Sequence, residues 1–241
     1  MKRNLLVFLL LWGGVELSAQ TVLQQFASIS KEAGMVADID LPQPTSQGSV
    51  LIAMPLLINP DPKVDVKVVA VTDNAPAGGN TYKQVPGTVS SCGKKSLDIW
   101  YCENCNPDAT ELKFHLSGHV GATIDAFLEV SGLALSSVLD GSGVHVSDGA
   151  ATSAGLEVAP SITTTAIDFI VGRHFSSPPL PTGVTPPEWK YSTSFVYLLN
   201  GAPGTYQPTL TGGKAANNFC IGMAAFKVAS GSAVSPPISK P

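Results

Sequence analysis

The chain has 241 residues, of which 13% are charged, with a formal net charge of −4, 23 glycines and 19 prolines. The acidic balance argues against nucleic acid as a partner, because clustered Lys and Arg are needed to neutralise phosphates. Low charge with abundant Gly, Pro, Ser, Thr and Val fits an extracellular all-β chain.

Met1–Ala19 (MKRNLLVFLLLWGGVELSA) has the layout of a secretory signal peptide: Lys2 and Arg3, then the apolar stretch Leu5–Trp12, then Ser18-Ala19 as a small-residue cleavage site. The apolar stretch falls short of the roughly 20 residues that span a bilayer, so no membrane span is expected and the mature chain is secreted, extracellular or periplasmic. Thr21–Lys31 reads as a short helix or a strand lead-in at best. Met35–Leu41 alternates, with Ala37, Ile39 and Leu41 inward. Ser49–Ile58 is a continuous apolar run, and Pro55 inside it suggests a bulge or an edge position. Val64–Thr72 is a β-branched run with Val64, Val66, Val68 and Ala70 on one face. It stops at Asp73-Asn74, and a turn rich in Pro, Gly and Asn leads to a new strand at Thr81-Tyr82.

Further strands are expected at Leu97–Cys102, at Glu111–Leu116, and at Ala122–Val130 with Ile124, Ala126, Leu128 and Val130 together. Gly143–Val146, Leu156–Val158, Ala166–Arg173, Ser194–Leu199, Thr205–Leu210 and Phe219–Val228 complete the set. About a dozen short strands with no helical period between them predict an antiparallel β-sandwich, jelly-roll or immunoglobulin-like, over residues 22–228 with two inner faces. Residues 229–241 (ASGSAVSPPISKP) lack the apolar side chains to order themselves and read as a disordered tail.

Several short motifs follow one another along the chain: Val71-Thr72-Asp73-Asn74 with Gly79-Asn80-Thr81-Tyr82, Ile99-Trp100-Tyr101, Glu129-Val130-Ser131-Gly132, Leu139-Asp140-Gly141, Thr163–Ala166 with Asp168, and Met223–Lys227. The ordered set resembles a family of secreted bacterial β-sandwich domains that have no assigned activity. The resemblance implies a sandwich fold and an extracellular place. It differs from the family pattern at Cys102, where alanine is usual, and at Val130, where an aromatic is usual.

Candidate chemistry is sparse. Glu129 and Asp125 lie two pairs of residues apart on one strand face, close enough for a glycosidase pair, which needs carboxylates roughly 5–9 Å apart. The competing reading has Glu129 accepting backbone N–H bonds from a turn such as 73–80. Asp73, Asn74 and Glu129 are weak candidates for a calcium site. Trp189, Tyr191, Tyr197 and Tyr206 are candidates for a sugar-stacking platform, against a core role for Trp189 and Tyr197. Cys102-x2-Cys105 followed by His115-x3-His119 imitates a zinc motif, but the spacer is short and the histidines lie in a strand pattern. An exported chain oxidises its cysteines, and the favoured bridge is Cys92–Cys105, with Cys102–Cys105 across the turn as second choice. No cofactor is expected. The functional expectation is a non-enzymatic surface or adhesion-type module that binds an extracellular glycan or protein. The alternatives are a glycan-active hydrolase using Glu129 and Asp125, and a purely structural spacer.

Overall fold

A computed structural model describes residues 20–31, 34–59, 65–76, 78–92, 95–147, 156–176, 180–212 and 219–229. The expected signal peptide and residues 230–241 of the expected tail lie outside the described residues. The first half supplies β1 (Thr21–Lys31), β2 (Val36–Asp40), β3 (Val50–Ile58) and β4 (Val68–Asp73). Short strands β5 (Lys83–Gln84), β6 (Ser90–Cys92), β7 (Lys95–Leu97) and β8 (Trp100–Cys102) follow, then β9 (Glu111–Leu116) and β10 (Ala122–Ser131). The second half opens with β11 (Leu139–Ser147), β12 (Glu157–Val158), β13 (Ile162–Thr164) and β14 (Asp168–Ser176). It continues through β15 (Gly183–Thr185), β16 (Lys190–Tyr191), β17 (Phe195–Gly201), β18 (Gly204–Tyr206), β19 (Thr209–Thr211) and β20 (Phe219–Lys227). The described residues are all-β and every strand pair is antiparallel. None of them forms a helix long and apolar enough to cross a membrane.

The sandwich has more layers than the two that were expected. A front sheet runs β1-β10-β3, with β3 continuing to β7 and β6 at one end and to β8 and β5 at the other. A back sheet runs β11-β20-β14-β17-β16. Val50, Ile52, Met54, Ala126, Leu128 and Val130 of the front sheet meet Phe169, Val171, Ala224 and Phe226 of the back sheet in the central core. The opposite face of the front sheet, with Leu51, Ala53, Leu57 and Phe127, is covered by the three-stranded sheet β2-β9-β4 through Ile39, Leu112, Phe114 and Val71. The opposite face of the back sheet, with Ile170, Val196, Ile221 and Met223, is covered by short strands β13 and β19 and by Trp189. Continuous apolar runs such as β3 and β20 therefore reflect burial on both faces, where an alternating strand such as β9 is buried on one.

Local departures from the expected strands have local causes. Thr21–Lys31 is a full edge strand, because its residues pair along β10 from Ser131 to Ala122. The expected strand 64–72 begins only at Val68, and a bulge between Val68 and Ala70 shifts its phase. Val68 and Val71 are buried while Val69 is 58% exposed, so the predicted alternation fails past the bulge. Pro55 sits in a central strand, not at an edge. Its missing N–H falls opposite the break between β7 and β8, where Asp98 N donates to Pro55 O at 3.2 Å. The break is stitched by the buried Asp98 carboxylate, which accepts from Ile99 N, Trp100 Nε1, Gln84 Nε2 and Thr88 Oγ1.

Arg173 on β14 is 1% exposed and joins the layers through backbone carbonyls. Its Nε donates to Met54 O (3.1 Å) and one terminal nitrogen donates to Ile124 O (2.7 Å), both in the front sheet. The other terminal nitrogen donates to His174 O (3.2 Å) and Ser194 O. Burial lowers its pKa to about 10, which leaves it charged at neutral pH, and Asp125 acts to raise it. Neighbouring His174 points to the other side, stacks on Tyr191 and is held neutral, its pKa lowered to about 3 by burial and by the Arg173 charge. Replacing Arg173 by Met keeps the length of the side chain and removes its donors. We expect a loss of about 1.5–3 kcal/mol, the usual worth of hydrogen bonds to a charged group, read as a lower midpoint in chemical denaturation. An unchanged midpoint would mean that the guanidinium joins nothing.

Candidate functional site

An open concavity lies beside the turn that follows β4. That turn is built by its own side chains. Asp73 Oδ1 accepts from Ala75 N (3.1 Å) and Asn80 N (2.9 Å), and Oδ2 accepts from Asn80 Nδ2 (2.8 Å) and Tyr82 OH (2.9 Å). Gly79 has φ +82°, and a Cβ there would stand 2.7 Å from Asp73 O, so both the conformation and the space demand glycine. The Tyr82 hydroxyl has its pKa raised well above the ordinary value by burial and by the Asp73 carboxylate, so it stays a donor. Asn74 serves a second clamp, its Oδ1 accepting from Thr110 N and Glu111 N.

A second loop leaves β8. Cys102 and Cys105 form a disulfide with Cα atoms 6.0 Å apart, and Asn104 between them adopts φ 53°, a left-handed conformation that Asn tolerates. The bridge expected first, Cys92–Cys105, is therefore not formed. Cys92 sits opposite Lys95, which pairs with Ile58 at one end of β3, whereas Cys102 pairs with Leu51 at the other end. The Cys92 side chain lies outside the described residues. Cys220 is also disulfide-bonded. With Cys102 and Cys105 oxidised, the zinc-like spacing has no thiolates to offer, and His115 is engaged with Thr72 Oγ1 at 2.9 Å.

The two loops are tied together where they meet. Asn106 N donates to Asn80 Oδ1 (2.7 Å), and Asn80 Nδ2 donates to Asn106 O (3.3 Å). Between them lies an open cleft of about 320 Å³, lined by Gly79, Asn80, Thr81, Lys83, Cys102, Glu103, Asn104 and Asn106. Lys83 and Glu103 form an ion pair on its wall, and Glu103 Oε2 also accepts from Val138 N (3.1 Å). The hydrogen bond to Glu103 raises the Lys83 pKa. Partial burial acts to raise the Glu103 pKa, but Lys83 and the Val138 amide outweigh it and hold the carboxyl below its usual value. Among the described residues, the side-chain amides of Asn104 and Asn106 make no hydrogen bond, and both residues are exposed. The cleft thus presents amides, a hydroxyl and a balanced ion pair on a frame fixed by a disulfide and the Asp73 clamp. None of its lining residues was a binding candidate in the sequence. The nearest signal was the juxtaposed composition of Gly78-Gly79-Asn80-Thr81 and Glu103-Asn104-Cys105-Asn106.

The sequence candidates lie elsewhere. Glu129 is 1% exposed, with Oε2 accepting from Gln24 Nε2 (2.6 Å) and Oε1 from Ser46 N (2.6 Å). It does serve a turn, but the one around Ser46 and not residues 73–80. Asp125 is fully buried, accepts from Thr123 Oγ1 (2.6 Å), and has its pKa raised to about 6 by burial. Neither lines the cleft. Asp73, Asn74 and Glu129 each spend their oxygens on N–H or O–H donors in separate clamps, which leaves no shared set for a cation. The four aromatics are divided between the two faces of the back sheet. Trp189, Tyr191 and Tyr206 pack in the outer core, and Tyr197 packs on the central core against Phe169 and Phe195. Trp189 meets Tyr206 edge-on and is only 4% exposed, and the Tyr191 and Tyr206 hydroxyls donate to Pro181 O and Ala202 O. Comparison of the sequence with protein-family models and with curated proteins finds no match.

Two substitutions check these assignments. Glu129→Gln turns an amide N–H₂ toward donors, and a loss of about 1–3 kcal/mol is expected in equilibrium unfolding. An unchanged melting temperature would free Glu129 for another role. Asp125 has a folded pKa above its unfolded one, so its favourable contribution is complete near pH 4 and is lost as pH rises through about 6. The stability of Asp125→Asn relative to wild type should therefore improve between pH 4 and pH 8. A difference that does not vary with pH would contradict the buried, proton-retaining carboxyl.

Proposed function

We propose that this protein is a secreted, non-enzymatic surface or adhesion-type module whose cleft between the 78–82 and 102–106 loops binds an extracellular glycan. The observation that carries the reading is the pair of unengaged, exposed amides of Asn104 and Asn106 on a rigid, solvent-open frame. Amide groups offer donors and an acceptor on one side chain, which suits the hydroxyls of a sugar. Rigid positioning lowers the ordering cost of binding. Export is supported by the Met1–Ala19 layout and by the disulfides, which persist in oxidising compartments. The resemblance to secreted bacterial β-sandwich domains agrees with it. The burial of Glu129 and Asp125 speaks against the hydrolase reading, because a glycosidase must bring both carboxyls to the scissile bond.

A glycan-array screen of the mature chain, repeated with Asn104→Gly/Asn106→Ala, in which glycine keeps the left-handed backbone at position 104, tests the reading. The expected result is binding to a defined set of glycans that the double variant loses while it keeps the wild-type melting temperature. Failure of the folded wild type to retain any glycan would overturn it and favour a protein partner or a spacer.

A further inference from the structure

Three segments singled out in the sequence take no part in the cleft, yet they converge. Leu139-Asp140-Gly141, Thr163–Ala166 with Asp168, and Met223–Lys227 meet at one end of the back sheet, where β20 lies between β11 and β14. Lys227 pairs with Asp168 across β14 and β20. Asp140 occupies the irregularity of β11, between Leu139 opposite Phe226 and Gly141 opposite Ala225. Lys227 Nζ stands 3.6 Å from Asp140 Oδ1, and the Asp140 side chain is only 4% exposed. Asp140 Oδ2 accepts from two backbone amides, Thr165 N and Ala166 N (3.2 Å), while Oδ1 accepts from Thr165 Oγ1 (2.7 Å). Asp168 is fully buried beside them, and neither of its oxygens has a hydrogen-bond partner.

This is more than a surface ion pair. A buried, unpartnered carboxyl is costly unless it has a use or keeps a proton. Burial first, and then the Asp140 charge, raise the Asp168 pKa to about 7, so it accepts and returns protons near neutrality. Burial also acts to raise the Asp140 pKa, but the Thr165 and Ala166 bonds and Lys227 hold it below the usual range. The amine is in ion-pair contact with the carboxyl group that it would attack, which holds the two reacting groups together within the fold. The two amides on Oδ2 are placed to hold the charge that would develop there in a tetrahedral intermediate.

We propose that Lys227 and Asp140 join in an intramolecular isopeptide bond, with Asp168 as the proton carrier. The Lys227 ammonium gives a proton to the Asp168 carboxylate. The neutral Nζ attacks Asp140 Cγ, forming the C–N bond, and Oδ2 remains as the amide oxygen between the two N–H donors. The bond from Cγ to Oδ1 breaks, and Oδ1 leaves as water with the proton returned by Asp168 and a second proton from Nζ. One ammonium and one carboxylate become one amide and one water, without an oxidant or any other reactant. The product ties edge strand β11 to β20, the last strand described.

Intact mass spectrometry of the purified full-length product, corrected for leader removal and disulfides, tests this directly. The expected mass lies below the sequence mass by one water, with a branched tryptic peptide joining Asp140 to Lys227. Lys227→Arg and Asp168→Asn are expected to restore that water. A wild-type mass equal to the sequence mass overturns the proposal. So does loss of water confined to Asp140-Gly141 with a free Lys227 amine, as a succinimide would give. A cross-link that persists in Asp168→Asn overturns the role given to Asp168.

Discussion

Two sheets in this protein are apolar on both faces, and the rest of the architecture follows from that constraint. The front sheet cannot leave Leu51, Ala53 and Phe127 in water, so β2, β9 and β4 cover them. The back sheet cannot leave Ile170, Ile221 and Met223 in water, so short strands and Trp189 cover those. Each covering layer is alternating, with one polar face, and this ends the stack: β9 turns Leu112, Phe114 and Leu116 inward and Glu111, Lys113 and His115 outward. Large buried apolar area drives the stacking but does not fix how the two inner sheets are placed on each other. Directional bonds can do that, and Arg173 supplies them by reaching from β14 to carbonyls of β3 and β10.

The same constraint decides what the carboxylates do. In a stack this thick, acidic side chains on inner strands end up under cover and must find donors or keep a proton. Glu129 and Asp98 find donors, and the second of them repairs the ladder that Pro55 interrupts. Asp125 and Asp168 are pushed toward retaining a proton. Asp73, at a strand end, organises the turn whose outer surface forms one wall of the cleft. The interior is thus committed to holding the fold together. Groups free to meet a ligand lie on the loops at its edge, where binding residues on β scaffolds commonly reside.

Much of the fold was legible because strand signals are local. Alternation in 35–41 and 111–116 reports one buried face, and Asp-Asn with Gly-Gly-Asn marks a turn by backbone chemistry alone. Thr21–Lys31 was not legible, since its Gln and Ser content is neutral and only pairing with β10 makes it a strand. The bulge after Val68 was hidden for a similar reason: an added residue changes phase without changing composition. The disulfide illustrates the limit. Spacing allowed both Cys92 and Cys102 to reach Cys105, and the left-handed turn at Asn104 decided for Cys102.

The sequence by itself determined the all-β class, most strand positions and the presence of the 73–82 turn, because each depends on the periodicity and stereochemistry of a few consecutive residues. Only the tertiary structure decided how many layers there are, which carboxylates are buried, and which loops share a cleft. Those properties depend on residues far apart in the chain, such as Asn80 with Asn106, Glu129 with Ser46, or Asp140 with Lys227. Such pairings are set by sheet order and register, and no local pattern encodes them.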